Sequence, residues 1–220
     1  EGNLVTENYR SFVGQYPLPN RHAMTVGELA LFFNHEINIG CELKVVPMTH
    51  WNRKQWYDET RLKWVSPSPN IPTLDTAMVY PGMCLVEGTQ LSEGRGTTRP
   101  FENFGAPFID PQQLAKRIQN DIKKLPGVIF RPQFFKPMFQ KHKSEVCGGL
   151  QVYVTDRNQF KPLLTTVALL RAVAELYPNE FKWRTEPYEF VNDRLAIDLL
   201  YGNTHLREII LNDSFSLTNI

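Results

Sequence analysis

Apolar side chains recur at helical spacing in several parts of the chain. After Thr25-Val-Gly-Glu28, a T-x-x-E capping box, this spacing predicts a helix over about 26–38. Asp110-Pro111 is typical of an N-cap followed by proline at the first helical position, so another helix is predicted to begin there. Further helices are predicted at about 51–60, 73–79, 162–177, 193–200 and 204–211. The 162–177 segment is apolar almost all round, so we expect this helix to lie in the core.

Short apolar runs bounded by turn residues predict strands between these helices. They lie at 43–48, 83–86, 128–136 and 149–155. The segment 66–72 contains three prolines, which exclude a regular helix or a central strand, so it is predicted to be a fixed extended loop. The order of elements predicts an α/β (α+β) protein with a mixed β-sheet and flanking helices.

Composition and charge narrow the class of protein. The chain has 220 residues, of which 42% are hydrophobic and 21% charged, as is typical of a globular protein with its own core. The net charge of +1 lacks the basic excess that proteins binding nucleic acid mainly through its phosphates usually need, so no nucleic acid partner is expected. The longest apolar run is about half of what a bilayer crossing needs, so no membrane span is predicted.

The cysteines and histidines give no sign of a metal or redox centre. Cys41, Cys84 and Cys147 are far apart and include no CxxC pair, which argues against a disulfide framework or a zinc ribbon. The five histidines show no ligand spacing, so no metal and no cofactor are predicted. A cysteine hydrolase using Cys147 is not favoured, because no partner histidine can be placed and cysteine is commonly buried.

The aperiodic segment 88–108 is the strongest candidate for function, since long loops in compact chains are often functional. Glu87 stands at the end of the predicted buried strand before it, and Glu93 lies within it. Two carboxylates in different surroundings can have separated pKa values, as acid–base cleavage of a glycoside requires. The alternative is that either carboxylate only ties down the loop by accepting backbone hydrogen bonds. The sequence leaves both interpretations open.

Arg95 and Arg99 lie in the same segment. A guanidinium matches a carboxylate or a phosphate bidentately, so the pair indicates an anionic substrate group. The alternative is a salt bridge to a glutamate of the loop. The run Gly94–Thr98 is similar to a phosphate cradle but lacks the lysine and spacing of a P-loop, so a nucleotide or phosphosugar ligand is a weaker alternative.

Three residues outside this segment are also candidates. His22 lies just before the first capped helix, where backbone N–H groups favour anions, and it either faces a pocket or anchors its loop. Trp51 and Trp56 either stack on a sugar face or pack within the protein.

Four motifs in the middle of the chain can be compared with known families, and the central one is long enough to be specific. They are SPSPNIPTLDTA at 66–77, YPG at 80–82, VEGTQLSEGRGTTRPF at 86–101 and GAP at 105–107. Together they resemble the exo-β-N-acetylmuramidase family typified by NamZ, which was long described as a domain of unknown function. The similarity also includes 21–30, 46–48 and 147–151, so it extends over most of the chain.

The resemblance implies a bacterial glycoside hydrolase that acts in the periplasm or outside the cell. Such enzymes release N-acetylmuramic acid from the non-reducing end of peptidoglycan fragments and need no metal. The lactyl carboxylate of this sugar would be a natural partner for an arginine. The implied catalytic residues are Glu87 and Glu93, and the implied substrate-binding residues are Arg95, Arg99, Thr97, His22, Asn70, Trp51 and Trp56.

The resemblance also implies a two-domain enzyme with a Rossmann-like N-terminal domain and a cleft between the domains. Residues 1–220 are predicted to be mainly its C-terminal substrate-binding and catalytic portion, with 1–20 following the N-terminal domain. The chain begins with Glu1, so we expect it to be a piece of a longer protein whose upstream Gly-Pro-Glu-His-Gly segment, a candidate source of a carboxylate, is absent. The alternative function is a muropeptide-binding module without chemistry of its own.

Overall fold

Residues 1–210, 212 and 217 are described by the computed structural model, and the chain divides into two units. Residues 21–65 form the smaller unit, and residues 1–20 together with 66–220 form the larger one. Among the described residues, no helix combines the length and apolar character that a bilayer crossing needs.

The smaller unit begins with the predicted capped helix, α1, which covers Val26–Glu36. Thr25 accepts a hydrogen bond from the Glu28 backbone N–H, and the Glu28 carboxylate accepts one from the Thr25 N–H at 2.7 Å, which completes the capping box. The Arg53 guanidinium donates to the Glu28 carboxylate and to the Ala23 carbonyl. The first turn of α1 is therefore connected to the second half of this unit.

Two predictions in the smaller unit are wrong. Residues 43–48 are not a strand, and of the helix predicted at 51–60 only Tyr57–Thr60 is helical, as a 3₁₀ turn. A strand needs a partner for its backbone groups, and no described segment pairs with 43–48. Val46 is 82% exposed, and no residue of this unit is buried. The apolar run at 43–48 therefore lacks the buried face that would stabilise a strand.

The larger unit is organised around a central helix. Its helices are α2 (Leu74–Met83), α3 (Pro111–Ile118), α4 (Pro162–Leu176), α5 (Ala196–Tyr201) and α6 (His205–Ile209). Eleven of the fifteen residues of α4 are buried, and α2 and α3 both pack against it, which confirms that the 162–177 segment lies in the core. The last residue of the helix predicted at 204–211 lies outside the described residues.

The predicted caps of α2 and α3 are also confirmed. Thr73 accepts a hydrogen bond from the Thr76 N–H at 3.2 Å. Asp110 accepts from the N–H groups of Gln112 and Gln113 at 2.8 and 3.1 Å, and Pro111 occupies the first helical position.

Three antiparallel strands form the sheet of the larger unit, in the order β1-β3-β2. They are β1 (Asn103–Ala106), β2 (Val128–Phe135) and β3 (Cys147–Val154). The central strand pairs Leu150 with both Phe104 and Pro132. The helices flank this sheet, so the predicted fold class is confirmed. β1 lies inside the segment that showed no periodicity, since all four of its residues are buried and give no alternation.

The strand predicted at 83–86 is wrong, and the correction changes how the site is built. α2 ends at Met83 and continues directly as a 3₁₀ helix over Cys84–Gly88, whose five residues are all buried. A short apolar run that is buried on every side has the same sequence pattern in a strand and in a helix. Glu87 therefore belongs to a buried helical turn and not to the end of a strand.

Candidate active site

An open cleft of about 580 Å³ lies in the larger unit, within the size range of small-molecule sites. Its polar lining comprises Ser68, Asn70, Glu87, Arg95, Tyr188 and Glu189. Its apolar lining includes Phe12, Ile71, Tyr80 and Phe101. The cleft therefore combines apolar walls with charged groups of both signs, as a site for a polar organic ligand requires.

Of the two carboxylates predicted to be catalytic, Glu87 is the one that lines this cleft. It lies on the 3₁₀ turn after α2 and is only 8% exposed. Its Oε2 accepts a hydrogen bond from the Tyr188 hydroxyl at 3.2 Å and lies 3.3 Å from Arg95 Nη2. Two donors thus hold one oxygen of a buried carboxylate at the surface of the cleft.

Glu93 lies deeper than Glu87, with only 1% of its surface exposed, and is not part of the cleft lining. Its Oε1 accepts from Arg95 Nε at 2.5 Å, so Arg95 bridges the two carboxylates. Arg95 itself lines the cleft. Glu93 therefore contacts the cleft lining only through Arg95, and its catalytic role stays a prediction.

Lys141 completes the cluster from a distant part of the chain. Its ammonium lies 3.0 Å from Glu93 Oε2 and donates to the carbonyl oxygens of Val86, Glu87 and Leu91 at 3.1, 3.3 and 3.0 Å. Burial lowers the pKa of Lys141, but three carbonyl acceptors need three N–H donors, which only the charged ammonium form supplies. The same ammonium also pairs with the Glu93 carboxylate.

The two carboxylates have pKa shifts in opposite directions. Burial raises the pKa of Glu87 above its ordinary value, and the charge of Glu93 acts in the same direction against Arg95 and Lys141. Burial also acts to raise the pKa of Glu93, but the charges of Lys141 and Arg95 outweigh it and hold that pKa below its ordinary value. Glu87 therefore keeps its proton to higher pH, while Glu93 stays ionised.

Two tyrosines and a strained phenylalanine form the wall beside Glu87. The Tyr80 ring packs edge-on against the Phe101 ring, with centroids 4.8 Å apart. Burial raises the pKa of Tyr80 to about 12 and raises the pKa of Tyr188 as well, so both hydroxyls are protonated donors at neutral pH. Phe101 is buried and has a positive φ of 61°, a rare conformation that often occurs at functional sites.

The loop that carries Glu93 and Arg95 depends on two glycines with positive φ. At Gly94 (φ 75°) an added Cβ would lie 2.6 Å from the Asn103 carbonyl oxygen, and at Gly96 (φ 86°) 2.7 Å from the Phe139 backbone. Gly96 also accepts a hydrogen bond from the Met138 N–H at 2.9 Å. Gly94 therefore allows the loop to pack against β1, and Gly96 allows it to pack against the segment that carries Lys141, so the two glycines do not form an open phosphate cradle.

Arg99 and Thr97 do not reach the cleft. Arg99 Nη1 lies 3.2 Å from Glu102 Oε2, in the kind of salt bridge within the loop that the sequence left as the alternative. Thr97 donates to the Gly94 carbonyl at 2.6 Å and accepts from the Arg99 N–H at 3.1 Å. Both residues stabilise the loop in this structure. Their substrate-binding role stays a prediction.

The remaining predicted site residues fall into two groups. Asn70 lines the cleft. His22, Trp51 and Trp56 belong to the smaller unit. There, His22 Nδ1 accepts from the Met24 N–H at 3.1 Å, and Trp51 lines a separate cavity of about 570 Å³. The Trp56 backbone N–H donates to Glu59 at 2.8 Å.

Sequence reasoning missed Lys141 and Tyr188, which are 54 and 101 residues from Glu87 along the chain. Neither stands in a recognisable motif, so only their contacts identify them. The buried cysteines are not activated: burial raises the pKa of Cys84 to about 12 and that of Cys147 to about 11. Among the described residues, no group of three or more His, Cys, Asp or Glu side chains could hold a metal ion.

The fold and the site together define a mixed α/β protein with an open cleft, a buried carboxylate of raised pKa and an arginine that contacts a second, more deeply buried carboxylate. Residues 1–75 match the family model described as exo-beta-N-acetylmuramidase NamZ, N-terminal, and residues 78–218 match the model of its C-terminal part. The chain belongs to the exo-β-N-acetylmuramidase NamZ family, as the motifs indicated. The predicted domain division, with 1–20 following an upstream domain, stays a prediction.

Individual relatives agree with this assignment. The chain is 46% identical over 220 residues to the peptidoglycan beta-N-acetylmuramidase NamZ of Bacillus subtilis (strain 168), covering 100% of this chain and 50% of that protein. A crystal structure of a DUF1343 family protein from Bacteroides fragilis NCTC 9343 is similar with a TM-score of 0.81 at 34% identity, covering 94% of this chain and 54% of the other.

A second DUF1343 family structure from Bacteroides fragilis has a TM-score of 0.64 at 24% identity, covering 96% of this chain and 53% of the other, and it supports the fold alone. The chain thus spans about half the length of the relatives that it matches.

Proposed function

We propose that the chain is part of a glycoside hydrolase that releases N-acetylmuramic acid from the non-reducing end of peptidoglycan fragments. The observation that carries the proposal is Glu87, a buried carboxylate with a raised pKa in the cleft, next to Arg95. The name of the Bacillus subtilis relative and the family models support the same reaction.

Glu87 is the general acid of the proposed reaction. Its proton passes to the glycosidic oxygen as the bond from that oxygen to the sugar C1 breaks, water supplies the hydroxyl that C1 gains, and the remaining proton of that water passes to a carboxylate base. The burial that raises its pKa keeps this proton available. Both oxygens of Glu93 face Arg95 and Lys141, so Glu93 is a positioning residue. We place the second carboxylate of the reaction in the full-length protein, outside this chain.

Arg95 binds the lactyl carboxylate of the substrate. With Glu87 protonated, the cluster contains the charges of Arg95 and Lys141 against that of Glu93, which leaves one net positive charge beside the cleft. A single local positive charge suits one sugar acid, and a protein of net charge +1 provides it without a basic surface.

Release of N-acetylmuramic acid from a chromogenic muramide tests the function. It should be measured with this 220-residue chain and with the full-length protein. Release by the longer protein alone supports the proposal with an essential group outside this chain, and release by both places all essential groups within it. No release by either folded protein would reject the hydrolase and favour a muropeptide-binding module.

The pH dependence of turnover follows from the direction of the Glu87 shift. The acid must be protonated, so kcat/KM should fall as the pH rises through the raised pKa of Glu87. A pH profile of kcat/KM for the full-length protein should therefore show its alkaline limb above the ordinary range of a glutamate. Arg99→Ala should leave this limb in place, since Arg99 pairs with Glu102 outside the cleft. A rate independent of pH across this range would contradict the assignment.

Arg95 should discriminate between sugars. We expect Arg95→Lys, which keeps the charge but loses the planar fork, to weaken binding of N-acetylmuramic acid by about 10-fold or more relative to N-acetylglucosamine. Calorimetric titration with the two sugars measures this ratio, and Arg99→Lys is the matched control because Arg99 lies outside the cleft. Equal losses for both sugars would show that Arg95 does not read the lactyl group.

We further propose that the protein acts in the periplasm or outside the cell of a bacterium, because the proposed substrate is cell-wall material. Fractionation of cells that express the full-length protein tests this, and retention in the cytoplasm would contradict it.

A further inference from the structure

Two tight turns of the larger unit project phenylalanines at the edge of the cleft. Ser11 and Gly14 exchange backbone hydrogen bonds of 3.1 Å, which places Phe12 and Val13 at the tip of one turn. Tyr188 and Val191 exchange two bonds of 2.9 Å, which places Glu189 and Phe190 at the tip of the other. Phe12, Val13 and Glu189 line the cleft. We call Phe12, Glu189 and Phe190 the rim.

The two rim phenylalanines are exposed but still contact one another. Phe12 is 67% exposed and Phe190 is 93% exposed, and their ring centroids lie 6.0 Å apart with an angle of 85° between the planes. A single exposed apolar side chain is common on protein surfaces, but a pair that continues an apolar cleft wall is typical of a binding surface.

The backbone of the second turn is strained where these side chains begin. Glu189 has φ 46° and Phe190 has φ 69°, so both central residues are in the left-handed region. Two-residue turns of this kind usually contain asparagine and glycine, which tolerate positive φ. Bulky residues with such strained backbone conformations cluster at functional sites. At these positions the side chain is retained although the backbone conformation is unfavourable.

Two residues of opposite charge, Arg95 and Glu189, line the cleft. Arg95, beside Glu87, favours an anionic group. Glu189 makes no hydrogen bond or ion pair within the part of the chain that the structure describes, and it is exposed. A free carboxylate accepts hydrogen bonds from hydroxyl and amide N–H groups and disfavours another anion. A ligand with one acidic and one neutral sugar would therefore lie with its acidic sugar towards Arg95.

From this arrangement we propose that the rim binds the neutral N-acetylhexosamine that follows N-acetylmuramic acid, the sugar that leaves when the glycosidic bond breaks. The face of a pyranose ring presents C–H groups, which pack on the electron-rich face of an aromatic ring. Glu189 accepts from the hydroxyl or acetamido N–H groups of the same sugar. This inference rests on the proposed hydrolysis, because it needs Glu87 to act at the bond between the two sugars.

The test compares two substrates that share the acidic sugar. The disaccharide of N-acetylmuramic acid and N-acetylglucosamine occupies the rim, whereas N-acetylmuramyl fluoride, whose leaving group is a single atom, does not. In the full-length protein, Phe12→Ala and Phe190→Ala should each lower kcat/KM for the disaccharide by about 10-fold and change it less than about twofold for the fluoride. Phe190→Tyr, which keeps the ring, should restore most of the loss.

Phe134→Ala is the matched control, because Phe134 is also an exposed phenylalanine, at 70%, but lies on β2 and does not line the cleft. Equal losses on both substrates, or an unchanged rate on the disaccharide, would overturn the rim as the leaving-sugar site.

Should the wild-type protein cleave neither substrate, calorimetry with N-acetylglucosamine separates the two proposals. If Phe190→Ala weakens the binding of N-acetylglucosamine and Phe134→Ala does not, the rim is supported although the proposed hydrolysis is rejected. If the wild type and both variants bind N-acetylglucosamine equally, the rim is rejected.

Discussion

Glu87→Gln should reduce kcat for release of N-acetylmuramic acid by about 10² to 10⁴ and leave the protein folded. The amide has the shape of the carboxyl group but no acidic proton to transfer to the glycosidic oxygen. Its oxygen can still accept from the Tyr188 hydroxyl and from Arg95 Nη2, which hold the carboxylate at 3.2 and 3.3 Å. Initial rates with the full-length protein, together with its thermal unfolding midpoint, measure both parts of the expectation.

Glu102→Gln is the control, because it removes a different buried carboxylate and should not affect the reaction. Glu102 is 3% exposed and pairs with Arg99 and Thr76, outside the cleft. We expect this variant to keep near wild-type turnover. Glu93→Gln should raise KM more than it lowers kcat, because it acts through Arg95. A folded Glu87→Gln protein with wild-type turnover would show that another group is the acid.

Lys141→Met should reduce the free energy of unfolding at neutral pH by about 3 to 5 kcal/mol, the range for breaking a buried ion pair. The substitution leaves the Glu93 carboxylate, 1% exposed, without its contact to the ammonium. It also removes the donor from the carbonyl oxygens of Val86, Glu87 and Leu91. Urea unfolding of the 220-residue chain and of the variant measures the difference.

The loss of unfolding free energy caused by Lys141→Met should become smaller as the pH falls. In the wild type the pKa of Glu93 is lowered in the folded state, so its contribution to stability is present above the unfolded value of about 4.3 and is lost as the pH falls through the folded value. The variant loses this contribution, so the two proteins should become more similar on acidification. Lys143→Met, at an exposed lysine of the same segment, should show no deficit. A deficit that is constant with pH would contradict the ion pair as its source.

Local rules predicted the elements whose signals lie within a few residues. The capping box at Thr25, the threonine cap at Thr73 and the Asp110-Pro111 start are all present, because a cap is satisfied by neighbours along the chain. The strands predicted at 43–48 and 83–86 are wrong for the opposite reason. The segment 43–48 has no partner strand among the described residues. The segment 83–86 belongs to a buried helical stretch, whose sequence pattern is the same as that of a buried strand.

The candidate site also combines residues that sequence motifs identified with distinctions that only the structure made. Motifs selected Glu87, Arg95 and Asn70, which line the cleft, because they stand in one long and specific stretch or in the proline-rich loop before it. Motifs could not separate Glu87 from Glu93, or Arg95 from Arg99, since each pair has the same chemistry and differs only in what surrounds it. The rim was not predicted, because two separate turns bring Phe12 and Phe190 together.

The sequence by itself determined the family, the helix starts and the segment that carries the chemistry, because each of these is encoded in contiguous residues. Only the tertiary structure decided which carboxylate reaches the cleft and in which direction each pKa moves. Those properties depend on burial, on the charge of Lys141 and on the hydrogen bond from Tyr188, residues that lie 54 and 101 positions from Glu87. Electrostatic effects of this kind act over a few ångströms in space, and no spacing along the chain records them.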